Sequence, residues 1–179
     1  NLVHQVCVPV PMVPNDVLPK FIKTEDGTKL AFRATAATHP GAGPGIVFLG
    51  GFMSDMTGQK ATVLESWAQK SGRGFLRLDY SGHGASGGAF RDGTIGRWLS
   101  DAITVIRYVG TTVDGMGSDL VLVGSSMGGW IATRVAQELA QPDSNLRVAG
   151  LVTIAAAADF TEDLLPNRMG PEALAQIRD

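Results

Sequence analysis

Short apolar runs alternate with amphipathic segments along most of the chain. The runs end at glycines or polar turn residues, which is typical of buried strands. In the amphipathic segments apolar residues recur three or four positions apart, as in Ile95, Trp98 and Ala102, and this spacing predicts helices. Thr94 directly precedes one such segment and is predicted to cap it. The predicted strands cover Lys20–Thr24, Lys29–Thr35, Ile46–Leu49, Gly74–Tyr80, Asp119–Gly124 and Val148–Ile154, and the predicted helices cover 58–72, a segment from Ile95 through Val109, and 127–140.

This order of elements predicts an α/β fold. The first two strands flank the turn sequence Glu25–Thr28 and are expected to form a hairpin, whereas most later strands are separated by a helix. Apolar strands that alternate with helices indicate a mostly parallel sheet with helices on both faces. We expect a proline-rich, extended N-terminal arm over residues 1–19, an α/β core over 20–159, and the start of a cap or lid region over 160–179.

The composition excludes several classes of protein. Of 179 residues, 44% are hydrophobic and 18% are charged, so the chain is not a disordered tail. The net charge of −2 gives no electrostatic basis for binding nucleic acid. The single cysteine, Cys7, excludes a disulfide within the chain and a cysteine-based zinc cluster.

The sequence also bears on where the protein resides. The longest run of small and apolar residues, Gly150–Ala158, is too short to span a bilayer, and no signal peptide is readable at the N-terminus. A reducing compartment is therefore expected, the cytoplasm first and the mitochondrial matrix as the alternative. Nothing in the pattern predicts an oligomeric state.

Gly124-Ser125-Ser126-Met127-Gly128 matches the pattern G-x-S-x-G. It directly follows the buried strand DLVLVG and opens a predicted helix, which is the setting of a nucleophile elbow. In such a turn the serine backbone is strained, and side chains at the two glycine positions would collide. Ser126 is therefore the predicted nucleophile, placed where a helix N-terminus favours a developing negative charge. The alternative interpretation is an ordinary glycine-containing turn between a strand and a helix.

Two backbone N–H groups are candidates for an oxyanion hole. One belongs to Met127, the residue after the nucleophile. The other lies in the loop Leu49-Gly50-Gly51-Phe52-Met53, where the glycines allow close backbone approach and Phe52 is the expected donor. The alternative is that this segment is only a loop that ends a strand.

A third glycine-rich segment, Asp79-Tyr80-Ser81-Gly82-His83-Gly84-Ala85-Ser86-Gly87, contains a formal G-x-G-x-x-G. A dinucleotide site requires a helix that starts at this motif and an acidic residue after the next strand, and both are missing. We therefore interpret the segment as a loop at the rim of the site. In such a loop His83 is a structural residue rather than the catalytic base.

These three segments, in this order and spacing, resemble the α/β-hydrolase superfamily. Within it, FLGGFMSDMTGQKA, LRLDYSGHGASGG and LVGSSMGGW are similar to the abhydrolase group that contains the mitochondrial depalmitoylating thioesterase and its bacterial relatives; the likeness covers roughly residues 20–165. The resemblance implies a serine hydrolase that uses neither cofactor nor metal. It would cleave small-molecule esters or acyl thioesters, long-chain ones among them, through an acyl-enzyme on Ser126.

The catalytic pattern is incomplete in this sequence. In the superfamily the nucleophile is followed by an acidic residue and then a histidine, but no histidine follows Ser126. The chain is expected to be a fragment that is inactive alone, with its acid and histidine outside it. The alternatives are a non-catalytic binding module on the same fold and a rearranged site with His83 as base.

Two further expectations concern the end of the chain. Asp159 follows the strand LVTIAAA and is a possible catalytic acid, although a loop residue that caps the next helix is the simpler interpretation. In a fragment, Val148–Ile154 would form an apolar sheet edge, and such edges invite pairing with other chains. We therefore expect the 179-residue chain alone to be poorly soluble or only partly folded.

Overall fold

A computed structural model describes residues 18–39, 41–113 and 115–158. Its strands are β1 (Lys20–Lys23), β2 (Lys29–Thr35), β3 (Gly45–Leu49), β4 (Phe75–Leu78), β5 (Asp119–Ser125) and β6 (Arg147–Ile154). Its α-helices are α1 (Gln59–Lys70), α2 (Ile95–Thr112) and α3 (Met127–Leu139), and a short 3₁₀ helix covers Phe90–Asp92. The expected arm over 1–19 lies almost wholly outside the described residues, and the expected cap over 160–179 lies entirely outside them.

The strands form one sheet in the order β1-β2-β4-β3-β5-β6. β1 and β2 form the predicted antiparallel hairpin, and β2 also pairs antiparallel with β4. β4, β3, β5 and β6 are mutually parallel neighbours. The prediction of an α/β fold with a mostly parallel sheet and an N-terminal hairpin is therefore confirmed.

Alternate residues of the central strands face opposite sides of the sheet. On one side Val47 and Leu49 pack in the core cluster that includes the apolar faces of α2 and α3. On the other side Ile46 and Phe48 pack in a second cluster with α1, through Ala61 and its neighbours. Both faces of the sheet are thus covered, which explains why these strands are apolar without alternation.

Strand β4 is shorter than the predicted strand Gly74–Tyr80. It ends at Leu78, although the Asp79 N–H still donates to the Ala31 carbonyl of β2 at 2.9 Å. The buried Asp79 carboxylate accepts hydrogen bonds from the two loops that follow β3 and β4. The predicted helix over 58–72 is also shortened at its C-terminal end, where Gly72 adopts a left-handed φ of 69° that ends α1.

Strand β6 is the last strand of the described sheet, next to β5. Three of its apolar side chains are exposed: Leu151 at 42%, Val152 at 47% and Ile154 at 38%. Exposed apolar edge strands in general invite pairing with other chains. The expected low solubility of the 179-residue chain stays a prediction.

Candidate active site

Ser126 occupies a strained turn between β5 and α3. Its φ is 55° and its ψ is −123°, a combination that costs a residue with a side chain about 1–3 kcal/mol. Backbone hydrogen bonds hold it there: the Ser126 N–H donates to the Ile154 carbonyl at 2.9 Å, and the Ser126 carbonyl accepts from Gly129 at 2.8 Å and from Ala157 at 3.2 Å. The surrounding chain therefore enforces the turn.

Gly124 and Gly128, the two glycines of the G-x-S-x-G motif, lie too close to neighbouring backbone atoms to carry a side chain. A Cβ on Gly124 would lie 2.2 Å from the Gly128 carbonyl oxygen, which agrees with the expected collision across the turn. A Cβ on Gly128 would lie 2.1 Å from the carbonyl oxygen of Leu49 and 2.4 Å from that of Gly50. The sequence did not reveal this second contact. It shows that Gly128 lets the start of α3 approach the end of β3.

The loop from β3 to α1, residues 50–58, lies against the nucleophile. A Cβ on Gly51 would be 3.3 Å from Ser126 Cβ and 3.2 Å from the Ser125 carbonyl oxygen. Phe52 follows at once, and its ring packs edge-on against Phe90, with ring centroids 5.0 Å apart. The structure thus brings the loop of Phe52 next to Ser126.

Met127, the second predicted donor residue, begins α3. The first N–H groups of a helix have no carbonyl partner within the helix and carry the positive end of its dipole. The Met127 side chain is fully buried in the main core cluster, so the position of its backbone is fixed by packing.

Residues 79–94, the β4–α2 loop, contain the third glycine-rich segment. No helix begins within 82–87, since the next elements are the 3₁₀ helix at Phe90 and α2 at Ile95. The segment is held by buried side chains: the Asp101 carboxylate accepts from the Ser81 N–H at 2.8 Å and from the Ser81 hydroxyl at 2.6 Å. The Trp98 indole N–H donates to the Ser81 carbonyl at 3.1 Å.

A cavity of about 250 Å³ lies between the β3–α1 and β4–α2 loops. Residues of both loops line it: Met53, Ser54, Asp55, Gly82, His83, Gly84 and Phe90. Both loops follow the carboxyl ends of parallel strands, which is where open α/β sheets bind ligands. Met53 has a left-handed φ of 57°, so the β3–α1 loop, like the turn at Ser126, contains a strained non-glycine residue.

His83 is 4% exposed and sits among the rings of Tyr80, Phe90 and Trp98. Its Nδ1 lies 3.2 Å from the Ser81 carbonyl oxygen, which can only accept, so Nδ1 carries the proton. The buried Nε2 has no hydrogen-bond partner in the part of the chain that the structure describes. Neither ring nitrogen therefore binds the Ser126 hydroxyl in this arrangement.

Burial lowers the pKa of His83 below its ordinary value of 6.5. As the pH falls, His83 therefore takes up a proton in the unfolded chain before it does so in the folded protein. The stability that neutral His83 contributes is fully present above pH 6.5. It is lost as the pH falls from 6.5 through the lower pKa of the folded state. Below pH 6.5 we expect the wild type to lose unfolding free energy relative to His83→Phe, by at most about 1.4 kcal/mol per pH unit. Urea unfolding from pH 8 to pH 5 measures it, and parallel curves for the two proteins would contradict the assignment.

The possible acid, Asp159, lies outside the described residues. Within the described ranges, no three histidine, cysteine, aspartate or glutamate side chains are close enough together to hold a metal ion. Over the same ranges, no helix is long and apolar enough to cross a membrane.

Comparison with known proteins identifies the family of this chain. Residues 46–179 match the Alpha/beta hydrolase family. The chain belongs to this family. Mitochondrial palmitoyl-protein thioesterase ABHD10 of Rattus norvegicus is 33% identical over 139 residues, which cover 78% of this chain and 42% of that protein. ABHD10 of Mus musculus is 38% identical over 119 residues, 66% of this chain and 36% of that protein. The chain thus spans about two fifths of the length of these curated relatives.

Two solved structures are similar to this chain in both fold and sequence. A crystal structure from Agrobacterium vitis S4 superposes with a TM-score of 0.77 at 43% identity, over 90% of this chain and 60% of that one. Mouse ABHD10 gives a TM-score of 0.67 at 29% identity, over 90% and 58%. The resemblance to the α/β-hydrolase superfamily, and to the group with a mitochondrial thioesterase, is confirmed.

Proposed function

We propose that this family member is a serine hydrolase that cleaves carboxylic esters or acyl thioesters through an acyl-enzyme on Ser126. The observation that carries the proposal is the enforced left-handed backbone of Ser126 at the start of α3, with the β3–α1 loop against it. A purely structural turn would gain stability from glycine at this position, because glycine adopts such a conformation without strain. A serine kept there at a cost is typical of a functional site.

The proposed reaction has two halves. The Ser126 hydroxyl oxygen attacks the substrate carbonyl carbon as its proton passes to a base, and the carbonyl oxygen becomes an oxyanion. The N–H groups of Met127 and Phe52 would stabilise that charge. As the intermediate collapses and the C–O or C–S bond breaks, the base gives its proton to the leaving oxygen or sulfur, and the neutral alcohol or thiol departs. Water then attacks the acyl-serine by the same route, which releases the acid and restores Ser126.

We propose that the base is not one of the three histidines of this sequence. None of them follows Ser126, and both ring nitrogens of His83 face a buried loop environment as described above. The histidine would then be supplied from outside these 179 residues. The acid would also come from outside them, unless Asp159 is the acid. Because no histidine follows Ser126 in this sequence, a second candidate function is a non-catalytic binding module on the same fold.

The names of the relatives favour one class of substrate for the proposed reaction. ABHD10 is named as a palmitoyl-protein thioesterase, which favours a long-chain acyl thioester over other esters for this chain. Its name as a mitochondrial protein favours the matrix, the alternative location, and gives no support to the cytoplasm that we expected first.

A fluorophosphonate probe tests the proposal, because it phosphonylates only an activated serine. The natural full-length protein is labelled, digested and mapped by mass spectrometry. We expect the label on Ser126, its loss in Ser126→Ala, and its retention in Ser125→Ala, which removes the buried neighbouring hydroxyl. Absence of label in the folded wild type would support the binding module instead, and label on any other serine would overturn the assignment.

A further inference from the structure

Strand β4 and the residues after it contact the β3–α1 loop through hydrogen bonds. The Asp79 carboxylate accepts from the Met56 N–H at 2.6 Å. The Arg77 guanidinium donates to the Met56 carbonyl at 2.6 Å. The Tyr80 hydroxyl donates to the Gly50 carbonyl at 3.3 Å. These contacts hold the loop near both of its ends, because Gly50 is its first residue and Met56 lies two residues before its last.

The groups that hold the loop are themselves buried. Arg77, Asp79 and Tyr80 are each at most 2% exposed. Arg77 also forms an ion pair with Glu65 of α1 at 2.5 Å. Buried charges are costly unless they are paired and hydrogen-bonded, so Met56 completes an arrangement that would otherwise be unfavourable. If the loop left this position, Asp79 Oδ1 and one N–H of Arg77 would lose their hydrogen-bond partners on Met56.

Asp79 uses both of its oxygens. While Oδ1 binds Met56, Oδ2 accepts from the Ala85 N–H at 2.8 Å. A Cβ on Gly84 would lie 2.2 Å from Oδ2, so the glycine is needed for the β4–α2 loop to close over the carboxylate. The formal G-x-G-x-x-G motif therefore has a structural role in this chain. Its backbone, at Gly84 and Ala85, packs around the Asp79 carboxylate, which in turn binds the β3–α1 loop.

The held loop carries the proposed oxyanion donor. Phe52 lies between the two anchored residues, Gly50 and Met56. Its ring packs on Phe90 of the β4–α2 loop and on Trp98 of α2. Donors stabilise a developing charge most when they are already in position and need no reorganisation during the reaction. A glycine-rich loop has no such rigidity of its own.

We propose that Asp79 and Tyr80 are positioning residues that hold the Phe52 N–H in place for the transition state by binding Met56 and Gly50. This inference rests on the proposed function. Neither side chain contacts the substrate, and each acts through the backbone of the β3–α1 loop. Their effect is therefore specific to the step in which the oxyanion forms, whereas substrate binding is left unchanged.

Asp79→Asn in the natural full-length protein is the first test. The amide keeps one accepting oxygen and replaces the other with an NH₂ group, which cannot accept. With a p-nitrophenyl ester and an acyl thioester as substrates, we expect kcat to fall about 10- to 100-fold while KM changes less than about twofold. Inhibition by a trifluoromethyl ketone, which forms an oxyanion on the enzyme, should weaken by about the same factor as kcat.

Asp101→Asn is the matched control for Asp79→Asn. Asp101 is a buried carboxylate that accepts two hydrogen bonds from the same β4–α2 loop but none from the β3–α1 loop. We expect it to lower the urea midpoint as Asp79→Asn does and to leave kcat within about threefold of wild type. Equal losses of kcat in the two variants would show that Asp79 acts only through stability and would overturn the inference.

Tyr80→Phe decides the question if Asp79→Asn does not fold. It removes only the hydroxyl that donates to Gly50, and we expect kcat to fall about 3- to 10-fold with KM unchanged. The control is Tyr108→Phe, since Tyr108 packs on Phe32 away from this loop. An unchanged kcat in Tyr80→Phe would count against the inference. An inactive, unlabelled wild type would instead refute the proposed function itself, so the two failures are distinct.

Discussion

Replacement of Ser126 with alanine is expected to lower kcat/KM for an ester or acyl thioester by about 10⁴-fold or more, with the fold intact. The whole effect comes from one oxygen atom, because the acyl-enzyme cannot form without it. The backbone hydrogen bonds that Ser126 makes to Ile154, Gly129 and Ala157 are unchanged by the substitution. Steady-state kinetics on the natural full-length protein, with circular dichroism as the check on folding, gives the result. Activity within about tenfold of wild type would exclude Ser126 as nucleophile.

The same position links activity to stability. Because φ is 55° and ψ is −123° at Ser126, glycine should relieve strain of about 1–3 kcal/mol, less about 0.5–1 kcal/mol for the greater entropy of glycine in the unfolded chain. We expect Ser126→Gly to be inactive and more stable to urea than Ser126→Ala.

Ser125 supplies the control for that comparison. It lies in strand β5 and is not among the residues with positive φ, so glycine there should be less stable than alanine. The same order of stability at both positions would contradict the strain at Ser126.

Gly128→Ala is expected to destabilise the protein by about 3 kcal/mol or more. The new methyl group would meet the carbonyl oxygens of Leu49 and Gly50 at 2.1 and 2.4 Å, and both belong to backbone that cannot rotate away. Either α3 or the end of β3 must move, which also displaces the β3–α1 loop from the nucleophile. Urea unfolding monitored by circular dichroism measures the loss of stability.

Gly96→Ala is the matched control for that substitution. Gly96 is the second residue of α2, as Gly128 is the second residue of α3, and a Cβ on Gly96 would lie 3.9 Å from its nearest neighbour, the Thr94 hydroxyl oxygen. Alanine there should be neutral or stabilising by up to about 1 kcal/mol, because it is the better helix former. A Gly128→Ala protein as stable as Gly96→Ala would contradict the steric account.

The sheet and the elbow could be predicted because their signals are local. Most central strands are short apolar runs, which predict buried strands. The G-x-S-x-G pattern predicts a nucleophile elbow because a strand directly precedes it and a helix directly follows it. The hairpin was predictable for the same reason, since the turn at Glu25–Thr28 lies between two strand-like runs. The differences lie at element ends, as at β4, which ends at Leu78 instead of Tyr80.

The support of the site could not be predicted from local pattern. Met56 and Asp79 are 23 residues apart, and the parallel pairing of β3 with β4 brings them together. The same holds for Gly128 and Leu49, which meet through the pairing of β3 with β5. One signal was present: Arg77 interrupts an otherwise apolar strand, and a buried arginine requires partners.

Direct detection of the acyl-enzyme is the most decisive measurement. The natural full-length protein is mixed with excess p-nitrophenyl ester, quenched with acid within one turnover, and examined by intact and peptide mass. The proposal predicts one acyl group per chain, on the peptide that contains Ser126, and none in Ser126→Ala. Hydrolysis by wild type without any acylated peptide, or an acyl group carried elsewhere, would contradict it.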